Sequence, residues 1–379
     1  MDNGEPNTDL LQQRFAEILK QFVNLVGVSW LSAKQKGAKI LFDLYLARAV
    51  RLIQFLLVCL GLLLFLSSPS PAADKIRIGL SSMSAIHGAM WAAEEKGLFK
   101  KHGIDPEVIT IGAGTQAVGA LIAGDIQLVS GGGDAVINAN LRGGDVIIIA
   151  SVLNRGVQRV MAPPDIKSPK DLKGKRVGVT RYGAASHLVL QLMMRRWGMS
   201  PGDVSVLQIG SSPSMLASLD KGGIDAAVLT IPSVFVAEER GYRVLADLAD
   251  MDIYYLHTMI DTSRSFLKSN RDQATRFLKG FIEGIAFFKK NKRESIEVLK
   301  KKLRTDAKGE KHLEKSYDLL AGGYYESVPY PSMKGVETLL QFMEKDNPKA
   351  KTADPKSFVD SSIVAELEAS GFIKALYEK

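Results

Sequence analysis

The chain has 379 residues, of which 24% are charged and 46% hydrophobic, with a formal net charge of +8. That length exceeds one ordinary domain and points to two lobes, and the composition is that of a soluble globular chain. The Lys/Arg excess is spread thinly: its densest cluster, KKNKRESIEVLKKKLR at 289–304, repeats Lys at helical spacing opposite Ile296, Val298 and Leu299, so it reads as a solvated helix face rather than a nucleic-acid surface.

The first 46 residues are an odd preface, with amphipathic helical spacing at Leu11, Phe15, Ile18, Phe22 and Leu25. They read as an N-terminal extension, or as a start set too far upstream of a true start near Leu46 or Val50. Residues 47–73 then carry a signal pattern. Arg48 and Arg51 supply positive charge, 52–66 supply the apolar run, and 67–73 supply small residues for cleavage. The run is short for a relaxed transmembrane helix, which needs roughly 20 residues. A signal peptide is therefore expected, or a signal anchor contacting the membrane through 52–66. The only cysteine, Cys59, lies inside this run between Val58 and Leu60, which does not suit lipidation. The exported body would then hold no thiol, disulfide or thiolate metal site.

From residue 75 the pattern alternates strand and helix. Residues 75–80 form a strand that ends in the small polar loop 81–84, and 86–102 a helix with Ala89, Met90, Ala93 and Leu98 on its apolar face. A strand at 106–111 and a helix at 115–123 follow. A Gly124-Asp125 turn leads into a buried strand at 126–130, then a helix at 134–141. The continuous apolar run VIIIASV at 146–152 is typical of a parallel strand covered on both faces. Prolines 163, 164 and 169 mark a break. Beyond it come strands at 176–180, 204–209, 224–229 and 243–245, interleaved with helices at 184–197, 214–221 and 232–240. After Met251 the patterning is predominantly helical, clearest at 271–290 and 293–303, with a final capping helix expected at 358–377. Such alternation predicts an α/β architecture with mixed, mainly parallel sheets.

Two phrases share one logic, ALIAGDIQLVSGG at 120–132 and SLDKGGIDAAVLTIP at 218–232: a helix end, a Gly turn, an acidic residue, and a strand that stops among small residues or proline. With SPKDLKGKRVGV at 168–179 and AAEEKGLFKKHGIDPEV at 92–108, they resemble the solute-binding proteins of ABC importers, in particular the nitrate, sulfonate, taurine and thiamine-precursor group. The resemblance covers residue 75 to the C-terminus. It implies a two-lobe type II periplasmic-binding-protein fold with two crossing hinge strands, near 153–162 and 249–257, and C-terminal helices that complete the first lobe. Lobe 1 would comprise 74–155 plus 257–379, and lobe 2 would comprise 156–256. It further implies a periplasmic or extracytoplasmic monomer that captures a small-molecule ligand and delivers it to a permease and its ATPase, with no cofactor and no bond chemistry. The ligand would be a sulfonate, nitrate, taurine or related anion, or a pyrimidine-like compound.

Ligands of open α/β sheets bind beyond the carboxyl ends of strands, where helix N-termini offer free backbone N–H groups. Three loops have the small residues such an approach needs: Ser81, Ser82, Met83 and Ser84; Gly132 and Gly133 with Asp134; and Tyr182, Gly183, Ala184 and Ser186, preceded by Arg181. Asn154, at the first crossing, and Thr230 and Pro232, at the end of the IDAAVL strand, complete the expected ligand contacts, with Arg155 a further anion partner. Asp134 has two readings. As the N-cap of its helix it is structural; facing the cleft, it disfavours a small anion and favours an amine or hydroxyl.

Enzyme chemistry finds little in the residues. GAGTQA at 112–117 matches the dinucleotide pattern but follows the second strand of the series, and no acidic residue ends the next strand. The His residues at 87, 102, 187, 257 and 312 show no metal-ligand spacing, and there is no G-x-S-x-G elbow. His187 reads as a partly buried helix residue rather than a base. An enzyme on the same fold, of the thiamine-pyrimidine or menaquinone-biosynthesis type, remains the alternative; the first of these relies on a cysteine-rich motif that this body lacks.

Overall fold

The computed structural model describes residues 73–251 and 254–378, with helical positions 17, 21, 45–46 and 48–54. Most of the extension and of the signal pattern, including Cys59, lies outside the described residues. No helix among the described residues is long and apolar enough to cross a membrane. The chain divides into two units, 1–70 and 71–379, and the site lies wholly in the second.

The second unit holds two five-stranded sheets. The first contains β1 (Asp74–Leu80), β2 (Ile104–Thr110), β3 (Leu128–Gly131), β4 (Val146–Leu153) and β10 (Thr258–Ser263), in the order β2-β1-β3-β10-β4. The second contains β5 (Arg159–Ala162), β6 (Arg176–Val179), β7 (Ser205–Gln208), β8 (Ala226–Leu229) and β9 (Arg243–Asp247), in the order β7-β6-β8-β5-β9. The chain leaves the first sheet after β4 and returns to it with β10. β10 runs antiparallel to both β3 and β4, and β5 runs antiparallel to both β8 and β9.

The two sheets repeat one topology. In each, a central strand (β1 or β6) pairs in parallel with the strand that follows it on one side and the next on the other. The direction of winding reverses at that strand, and this opens a crevice at the carboxyl ends. All eight residues of β4 are buried, as its uninterrupted apolar run requires of a strand covered on both faces. The expected parallel pairing is corrected: β4 lies at the sheet edge and pairs antiparallel with β10.

Helices α1 (Gly88–Glu95), α2 (Leu98–Lys101), α3 (Gly114–Ala123) and α4 (Gly133–Leu141) cover the first sheet. Helices α5 (Ala185–Arg196), α6 (Ser212–Asp220) and α7 (Ser233–Glu239) cover the second. After β10 come α8 (Arg264–Ser269), α9 (Arg271–Lys290), α10 (Lys292–Leu303), α11 (Glu310–Leu319) and α12 (Met333–Met343). Helix α9 returns to the first sheet's helices: its Phe277 stacks on Phe99 of α2 at 4.9 Å, with Phe281 stacked behind at 6.3 Å. Each such aromatic pair adds about 0.5–1.5 kcal/mol beyond its burial.

Three expectations change. The region after Met251 is not simply helical, because β10 is a central strand of the first sheet. The helix expected at 86–102 breaks at Gly97, whose φ of 66° is left-handed. The capping helix expected at 358–377 is two short ones, α13 (Ser362–Ala369) and α14 (Phe372–Ala375), separated by a left-handed Gly371.

Candidate functional site

A cavity of about 60 Å³ lies where the carboxyl ends of β1 and β3 face those of β6 and β8. The first sheet contributes Ser81, Ser82 and Met83 after β1, Ala113 and Gly114 at the start of α3, and Gly132 and Asp134 after β3. The second contributes Thr180, Ala184, Ala185 and Ser186 between β6 and α5, Ser211 and Ser212 at the start of α6, and Val228 and Thr230 at the end of β8. Gln158 and His257, on the two connections between the sheets, close the wall. Four helix starts therefore converge on one space, and among the described residues no Lys or Arg lines it.

Asp134 dominates the electrostatics. It is 1% exposed, and the nearby backbone N–H groups of Asp134 and Ala135 fall short of hydrogen-bond geometry, so neither carboxylate oxygen is fully paired. Burial pushes its pKa up from 3.8 to about 7, against the opposing pull of its own backbone N–H and that of Ala135. The expected N-cap role is corrected: Gly132 occupies that position, and Asp134 is the second residue of α4. Gly132 permits the arrangement, because a Cβ there would lie 2.2 Å from the Asp134 Oδ1. The Tyr255 hydroxyl and the Asp261 carboxyl, both buried and unpartnered, are held above their ordinary pKa values by burial and by the charge of Asp134.

The other unpartnered atoms of the wall are Gln158 Oε1, Thr230 Oγ1 and His257 Nε2. His257 meets Thr258 Oγ1 through Nδ1 at 3.1 Å, and burial lowers its pKa to about 4. Behind the wall, His87 bridges Ser130 Oγ at 3.1 Å and Ser82 Oγ at 3.3 Å. Burial, with His257 nearby, lowers its pKa to about 3, so both imidazoles are neutral at pH 7.

Of the residues expected from sequence, Ser81, Ser82, Met83, Gly132, Asp134, Ala184, Ser186 and Thr230 line the cavity. The others lie outside its wall. Ser84 is fully buried and donates from Oγ to the Ile231 carbonyl at 2.7 Å, joining the loop after β1 to the loop after β8. The Gly133 N–H is taken by the Leu256 carbonyl. Asn154 anchors a C-terminal segment, accepting from Ser151 Oγ and the Ser332 N–H and donating to the Tyr330 carbonyl. Arg181 is exposed, as is Arg155. Tyr182 is 53% exposed and donates its hydroxyl to the Val206 carbonyl. Pro232 accepts from the Phe235 N–H at the start of α7.

The loop at 182–186 was expected to offer backbone donors, but most are already spent. The Tyr182 N–H goes to Gln208 Oε1, that of Gly183 to His187 Nδ1, and that of Ala184 to the Arg181 carbonyl. This leaves the first-turn N–H groups of Ala185 and Ser186, which have no partner within their helix. Sequence reasoning missed Gln158, His257, Thr180, Ser211 and Ser212 as wall residues. The S-S-P at the start of α6 was a legible signal for the serines, since it marks a helix start after a strand.

The family model described as NMT1/THI5 like matches residues 84–295, more than half of the chain. The chain belongs to that family. It is 27% identical over 177 residues to the taurine-binding periplasmic protein of Escherichia coli (strain K12). That match covers 46% of this chain and 54% of the relative, so the chain spans about half the length of that curated protein. Among solved structures, the fold matches the periplasmic aliphatic sulphonate binding protein SsuA from Escherichia coli with a TM-score of 0.61 and 23% identity, covering 76% of this chain and 98% of that one. It also matches the periplasmic nitrate-binding protein NrtA from Synechocystis PCC 6803, with a TM-score of 0.64 and 16% identity, covering 82% and 91%.

Proposed function

We propose that this chain is the extracytoplasmic solute-binding component of an ABC importer. It would capture a small organic or inorganic solute of the sulfonate, nitrate, taurine or pyrimidine-like kind and deliver it to a permease and ATPase. The observation that carries this reading is the cavity itself. Unpartnered buried polar atoms from both sheets and from the connections between them face one small space, and a bound solute would satisfy them together. Buried polar groups left unpaired cost roughly 1–3 kcal/mol each, so a ligand that pairs them gains correspondingly. The periplasmic relatives and the signal pattern before residue 74 support the extracytoplasmic assignment.

Solute that contacts both sheets favours the arrangement in which they approach, and the closed form is the one that docks on a permease. Ser84 to Ile231 joins the loops of the two sheets and would act in that closed arrangement. Binding is favoured over catalysis by the state of the imidazoles. Ser82 and His87 have the geometry of a serine beside its base, but a histidine with a pKa of about 3 is a poor proton acceptor near neutral pH. A thermal-shift series over sulfonates, nitrate, aromatic carboxylates and pyrimidines tests the proposal. At least one compound should raise the melting temperature in a concentration-dependent way, by the equivalent of about 2.7 kcal/mol at a hundred times its Kd. Turnover of that compound would contradict the reading.

A further inference from the structure

The wall of the cavity holds two buried acceptor side chains with no partner, Asp134 and Gln158, beside hydroxyls and helix starts. Asp134 offers two unpartnered carboxylate oxygens and Gln158 an unpartnered amide oxygen, with Thr230 Oγ1 and His257 Nε2 also free. Among the described residues no Lys or Arg lines the space to balance a carboxylate or to hold an oxyanion by charge. A simple oxyanion placed here would meet the ionised form of Asp134 with like charge and leave the Asp134 and Gln158 oxygens unmet. A solute that donates from nitrogen would satisfy both requirements.

We propose that the site selects a small nitrogenous solute whose N–H group, as an ammonium, an amidinium or an amino-heterocycle, donates to the Asp134 carboxylate, and that it rejects oxyanions lacking such a donor. The inference rests on the solute-binding reading and names its ligand class. Thr230, from the opposite sheet, takes a second contact to the same solute, so the donor-bearing end bridges the two sheets. A sulfonate is compatible with the site only as part of a molecule that also carries the nitrogen donor. Taurine and isethionate, which differ in an ammonium against a hydroxyl, separate these two requirements. Cytosine supplies a neutral amino-heterocycle, and nitrate an oxyanion without hydrogen.

The test is calorimetric titration of the purified protein with these four probes, preceded by a melting survey of small solutes sorted by the presence of an N–H donor. Solutes that bind should carry the donor, taurine should bind ahead of isethionate, and nitrate should not compete. Asp134→Asn should weaken those binders about tenfold to a hundredfold, the range expected for a hydrogen bond to a charged group. Thr230→Val should weaken them about twofold to tenfold, which keeps the test open if the Asp134 variant folds poorly. Nitrate or isethionate bound as tightly by Asp134→Asn as by the parent would overturn the inference and leave solute binding standing. A cooperatively melting protein stabilised by no solute in the survey would overturn both.

Discussion

Asp134→Asn should change the pH dependence of stability in a direction and size that follow from the burial of this one carboxyl. In the folded protein Asp134 keeps its proton up to about pH 7, whereas in the unfolded chain it releases it near 3.8. Between those values the unfolded state binds fewer protons, so the parent protein loses stability as pH rises, by about 1.4 kcal/mol per pH unit. The full cost, roughly 4 kcal/mol, is reached once the folded carboxyl ionises above pH 7. Asparagine has no such titration. The stability difference, variant minus parent, should therefore be smallest near pH 4, grow in favour of the variant, and level off above pH 7. The titratable groups around Asp134 are Tyr255, Asp261, His257 and, behind the wall, His87. The two imidazoles titrate in both proteins and cancel in the difference. Ionised Asp134 raises the pKa values of Tyr255 and Asp261, so its removal acts on them with the same sign. Urea unfolding of both proteins from about pH 4 to about pH 8, without ligand, measures the difference. A difference that stays flat, or that favours the parent as pH rises, would refute the buried, unpartnered state of Asp134.

Ser84→Ala removes the hydrogen bond to the Ile231 carbonyl and should lower the apparent affinity for a bound solute about twofold to tenfold by calorimetry; unchanged affinity would remove this bond from the closed state. Among the described residues no group of three or more His, Cys, Asp or Glu side chains is placed to hold a metal ion. Chelator-treated, desalted protein should accordingly bind its solute with unchanged affinity, and strict dependence on added metal would contradict the proposed site. Alkaline phosphatase fused after Ala73 should be active, as export of the segment before residue 74 requires; an inactive fusion would contradict an extracytoplasmic location.

The repeated rhythm of strand, helix and Gly-turn was legible because strands buried on both faces must be apolar and their connections must turn sharply. The run at 146–152 and the phrases ending at Gly132 and Pro232 carried that information. β10 escaped because Asp261 interrupts its apolar character, and a buried carboxyl in a central strand has no local signature. The break between α13 and α14 was written in Gly371 but masked by the apolar periodicity on either side. In the site, the loops after β1, β3, β6 and β8 were legible because ligand crevices follow the carboxyl ends of parallel strands. Gln158 and His257 were not, since they lie on connections whose approach to the cavity depends on how the two sheets meet. The orientation of Asp134 was equally hidden. It turns on the extended conformation of Gly132, with φ −81° and ψ 142°, which moves the cap two positions ahead of Asp134.

The central claim is that one small solute is held between the two sheets with its donor on Asp134. A crystal structure of the protein with its bound solute tests this most directly. The account predicts a solute nitrogen within hydrogen-bond distance of the Asp134 carboxylate and a second polar contact to Thr230 in the same molecule. Solute bound outside this cavity, or touching the loops of only one sheet, would contradict it.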